Sequence, residues 1–134
     1  MYALVKTEKG YRVLKDKVIF LTGMQLKFLD DLAQNLIPDL DMILTYFDTL
    51  DQFTELVNQG LVCVCLQRAP GTGERKLILS HHLYYGIRAS VYRAELTDEG
   101  VDLLEEVKTA DVFRECMTDM DQYMAETLLK RRSI

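Results

Sequence analysis

Residues 58 to 66 read Asn58-Gln59-Gly60-Leu61-Val62-Cys63-Val64-Cys65-Leu66, and within them the hydrophobic period changes. Upstream, Leu50, Phe53, Leu56 and Val57 recur at the spacing of one helical face, and a glycine directly after such a pattern is a common helix terminator. Downstream, Leu61 to Leu66 is a continuous apolar run rich in β-branched residues, which reads as a buried strand. The chain therefore passes from helix to strand at Gly60.

Toward the N-terminus, the helix ending at Gly60 should start near Asp48-Thr49, with Gln52 three residues after Thr49 completing a capping box. Before it, Pro38 suits a first helical position, Asp39 and Asp41 stand near the positive end of the dipole, and Leu40, Ile43, Leu44 and Phe47 share a side. Phe28, Leu29, Leu32, Ala33 and Leu36 mark an earlier helix from about Thr22, stopped at Ile37-Pro38. Residues 2 to 21 are strand-like in three pieces, Tyr2 to Lys6, Tyr11 to Leu14 and Val18 to Leu21, and predict an N-terminal β-hairpin.

Toward the C-terminus, Pro70-Gly71-Thr72-Gly73 is a turn that should return the strand as Leu77-Ile78-Leu79, with a further strand from Ser90 to Leu96. Thr97-Asp98-Glu99 then opens a helix carrying Val101, Leu104 and Val107 inward. In a final helix from about Asp111 to Lys130, Phe113, Met117, Met120 and Met124 form a stripe. Such a stripe either folds back as core or pairs with a second chain; a homodimer through those four residues is expected.

At 134 residues, 49% hydrophobic and 28% charged, the chain suits one folded domain, 1–134, and is not a disordered segment. It divides into a hairpin at 1–21, a core at 22–108 and a C-terminal helix at 109–134. No apolar run is long enough to span a bilayer and the first residues lack a signal-peptide core, so no membrane partner and a cytoplasmic location are expected. Cys63, Cys65 and Cys116 are an odd count, which points to thiols in a reducing compartment.

The net charge of -5 hides a segregation. Residues 1 to 27 carry six basic and two acidic side chains, and residues 28 to 67 carry seven acids and no Lys or Arg. Residues 68 to 94 are basic again, with Arg68, Arg75, Lys76, Arg88 and Arg93 against Glu74 alone, and residues 95 to 127 bring eleven acids against Lys108 and Arg114.

Three helices, a β-hairpin and a further helix follow the order of an α+β winged helix-turn-helix. Gln59-Gly60-Leu61-Val62 resembles the KGLV boundary between recognition helix and wing in MarR-like regulators, and Leu96-Thr97-Asp98-Glu99-Gly100-Val101-Asp102-Leu103-Leu104 resembles their LTxxGxxLL motif. The resemblance covers about Thr22 to Lys108. It implies a winged helix-turn-helix with N-terminal β-hairpin, extended wing and C-terminal dimerisation helix, and a transcriptional regulator of double-stranded DNA. The stretch Thr45 to Gln59, matching the recognition helix, has no cation for phosphate or guanine. Affinity would then come from the wing, through Arg68, Arg75, Lys76, Arg88 and Arg93, while Thr49, Gln52 and Asn58 offer uncharged groups to base edges. The alternative is a protein-interaction module, an adaptor or inhibitor whose acidic helices meet a basic partner.

Catalysis finds little footing, and neither an enzyme nor a cofactor is expected. Gly71-Thr72-Gly73-Glu74-Arg75-Lys76 is too short for a phosphate loop. Cys63-Val64-Cys65 with His81-His82 invites a zinc reading, but adjacent histidines on a strand point to opposite faces and a Cys-x-Cys in an apolar strand reads as buried thiols. No metal is expected.

Overall fold

The computed structural model describes residues 3–8, 10–14, 18–37, 43–47, 49–66 and 92–132. Its architecture is α+β, with two small antiparallel sheets and helices packed against them. Among the described residues no helix is long and apolar enough to cross a membrane.

The N-terminal strands β1 (Ala3–Thr7), β2 (Gly10–Leu14) and β3 (Val18–Leu21) form a sheet in the order β1-β2-β3. The expected hairpin is therefore a three-stranded meander, because Val18 to Leu21 pairs back on β2, with Val13 opposite Ile19. Strand alternation divides its faces: Tyr11, Val13, Ile19 and Leu21 are buried, whereas Arg12, Leu14, Val18 and Phe20 are exposed.

Helix α1 (Gly23–Ala33) starts with a complete capping box, in which the Thr22 hydroxyl accepts from the Gln25 amide and the Gln25 side chain accepts from the Thr22 amide. It stops short of Pro38. Asn35 adopts φ 60°, a left-handed conformation that asparagine tolerates better than most residues, and Leu36 is turned out to solvent. Helix α2 (Ile43–Tyr46) and helix α3 (Asp51–Asn58) follow; the expected start of α2 at Pro38 lies outside the described residues. Phe28 of α1 gathers the aromatic rings of this layer, with centroids 5.3 Å from Tyr46, 5.3 Å from Phe47 and 5.8 Å from Phe53. Burying each such side chain stabilises the fold by about 1.5–3 kcal/mol.

Strand β4 (Val62–Leu66) pairs antiparallel with β5 (Tyr92–Leu96), Val62 opposite Leu96 and Leu66 opposite Tyr92. The expected return strand at 77 to 79 lies outside the described residues. Helix α4 (Asp98–Val107) and helix α5 (Asp111–Arg132) complete the chain, α5 lying along α1. Phe113 and Cys116 are buried there, and Met120 touches the bare backbone of Gly23. Lys27 bridges the seam, 2.6 Å from Asp121 and 3.0 Å from Asp31, and the Tyr46 hydroxyl donates to Asp31 at 2.7 Å. Burial works against the Lys27 charge, but the hydrogen bonds it donates to Asp121 and Asp31, with their negative charges, outweigh it and raise the pKa.

Candidate nucleic-acid interface

The two stretches that resemble winged-helix signatures meet in space. At Gly60, φ +76° lets the chain leave α3 and enter β4. The Thr97 hydroxyl donates to the Gly60 carbonyl, the Thr97 amide donates to the Leu61 carbonyl at 3.1 Å, and the same hydroxyl caps α4 by accepting from the Gly100 amide at 3.1 Å. A Cβ on Gly100 would collide with the Leu61 carbonyl oxygen, so only glycine lets α4 approach this closely. The exit from α3 and the entry to α4 thus brace each other at one end of the β4–β5 ladder.

Helix α3 presents Asp51, Glu55 and Asn58 to solvent, and Thr49 is exposed just before it. Two of these are carboxylates and, as the sequence requires, none is a cation. The expected capping box at Thr49 and Gln52 does not form: the residue before α3 is Leu50, already helical and without a side-chain cap. Thr49 instead accepts from the Asp51 amide at 3.4 Å. The Gln52 side chain accepts from the Thr22 hydroxyl at 2.7 Å, and its backbone carbonyl accepts from Gln25 at 2.9 Å. Gln52 therefore ties α3 to the start of α1 through its side-chain oxygen and its backbone carbonyl.

Of the five cations expected to meet DNA, Arg68, Arg75, Lys76 and Arg88 lie outside the described residues. Arg93 sits on β5, half-buried, with its Nη2 bonded to Glu95. That partner compensates its charge, an arrangement the bare count of basic residues did not anticipate. Lys6 and Arg12 add exposed basic groups on the N-terminal sheet.

No known family, curated protein or solved structure matches this chain. Its reading rests on its own residues.

One arrangement was missed from sequence. Glu95 falls opposite Cys63 in the β4–β5 register, and the Cys63 and Cys65 sulfurs and a Glu95 carboxylate oxygen lie within 4.8 Å of one another. Alternation could have put Arg93 and Glu95 on one strand face, but not which residues of β4 they oppose. The Met stripe is also used within the chain: Phe113 is buried, and Met117, Met120 and Met124 pack half-buried against the core. Its distal part leaves Tyr123 55% exposed.

Proposed function

We propose that this chain is a winged-helix DNA-binding regulator whose basic wing, and not its third helix, supplies affinity. The observation that carries the reading is the brace of Gly60 and Leu61 against Thr97 and Gly100, which holds the end of α3, the β4–β5 ladder and the start of α4 together as a winged helix would require. The outward face of α3 carries Asp51 and Glu55, which repel phosphate, so contact falls to Arg68, Arg75, Lys76 and Arg88, helped by Lys6 and Arg12. Thr49 and Asn58 remain as uncharged groups able to meet base edges. In this reading two copies associate through the exposed, distal part of α5.

Fluorescence anisotropy of the full chain on mixed duplex DNA, across roughly 50 to 200 mM salt, tests the proposal. Binding should fall steeply with salt and be largely lost when Arg68, Arg75 and Lys76 are changed to alanine; no binding at low salt overturns it. The exposed Asp51 and Glu55 favour one second reading, a module that docks a basic protein partner on α3. Asp51→Asn separates the two. It should tighten DNA binding if α3 lies near the phosphates, and leave the chain without DNA affinity if α3 serves a protein.

A further inference from the structure

The β4–β5 ladder has two unlike faces. Val62, Val64 and Ala94 point into the core, at 0%, 0% and 4% exposure, and alternation places Cys63, Cys65, Arg93 and Glu95 together on the other face. We infer that Cys63, Cys65 and Glu95 form a binding site for a thiophilic divalent cation of the zinc class.

The geometry comes first. On a tetrahedral zinc with Zn–S bonds of about 2.3 Å, two thiolate sulfurs stand about 3.8 Å apart. The three donor atoms already lie within 4.8 Å of one another, so side-chain rotation alone can close them on an ion. Paired strands hold their Cα positions, which is how a rigid element preorganises ligands.

Charge and donor chemistry agree. Two thiolates and a carboxylate around a dication leave one excess negative charge, and the Arg93 guanidinium bonded to Glu95 Oε1 offsets it. A carboxylate has two oxygens, so Glu95 can keep Arg93 on one and ligate through the other, as carboxylate ligands oriented by a hydrogen-bonded neighbour commonly do. Three protein donors leave a fourth position for water or an exchangeable ligand. Binding replaces the two thiol protons with the metal, which releases them to solvent and makes affinity rise with pH. Cys116 is placed differently, on α5, with its thiol donating to the Gly23 carbonyl at 3.8 Å.

The site is independent of the nucleic-acid reading. It is tested by titrating Co2+ into the reduced full-length chain and following the near-ultraviolet thiolate-to-cobalt charge-transfer band and the visible bands of four-coordinate cobalt. One equivalent should saturate the signal, and Zn2+ should bleach it. Cys63→Ser and Cys65→Ser should each abolish the two-thiolate spectrum, while Cys116→Ser should leave it intact. Arg93→Ala should weaken binding about tenfold, the usual cost of losing a group that orients a ligand. The inference is overturned if the wild-type chain shows no charge-transfer band with excess Co2+, a result that depends on no variant's folding. It is equally overturned if the band survives in the Cys63→Ser/Cys65→Ser double variant.

Discussion

Helices α3 and α4 each have a threonine close before them in a sequence that looks ready to cap them, and they start in different ways. At α4, Thr97 is extended, accepts from the Gly100 amide and donates to the Gly60 carbonyl. One hydroxyl serves the helix end and the tertiary contact together. At α3, Thr49 stands one residue too early, Leu50 occupies the cap position without a side-chain acceptor, and Gln52 is turned to Thr22. A cap motif is a local offer, and a distant hydroxyl or amide can outbid it when the fold brings one near.

This contrast can be broken by substitution, with stability read from urea midpoints at unchanged slope. Gly100→Ala should have the largest effect, about 3 kcal/mol, because the new methyl meets backbone that cannot move aside without separating α4 from Leu61. Thr97→Ala should follow at about 2 kcal/mol, losing the cap and leaving the Gly60 carbonyl without its hydroxyl donor. Gln52→Ala should cost about 1 kcal/mol, since it removes the acceptor for Thr22 but keeps the backbone carbonyl that accepts from Gln25. Thr49→Ala should change stability by less than about 0.5 kcal/mol, as expected of an exposed residue whose hydroxyl makes a long, 3.4 Å hydrogen bond to the Asp51 amide. If Thr49→Ala costs as much as Thr97→Ala, the two starts are equivalent and the contrast fails.

The same difference explains how much was legible in the sequence. The change of period at Gly60, the cap at Thr97 and the inward face of α3 depend on residues within a turn or two of each other, and the structure has them where the pattern puts them. On α4 the expected Leu104 and Val107 are inward, but Leu103 takes the place given to Val101, which is 38% exposed because the close approach at Gly100 sets the helix's rotation. The end of α1 was misplaced because Pro38 is a strong stop, yet Asn35 turns the chain earlier by taking a left-handed conformation that apolar periodicity does not encode. The third N-terminal strand was visible as a strand, but its pairing on β2 was not. At the candidate interface the absence of cations on α3 was read directly, whereas the neutralisation of Arg93 by Glu95 and the use of Gln52 as a tie required the fold.

The sequence by itself determined, for most of the described residues, which segments are helix or strand, the acidic character of α3 and the glycine-marked exit into β4, since propensity, period and charge are properties of neighbouring residues. Tertiary structure alone decided that residues 92 to 96 lie beside β4, that Gln52 reaches Thr22, and that Glu95 stands across from Cys63. Burial selects the register: with Val62, Val64 and Ala94 in the core, the opposite face must gather the two thiols, the guanidinium and the carboxylate.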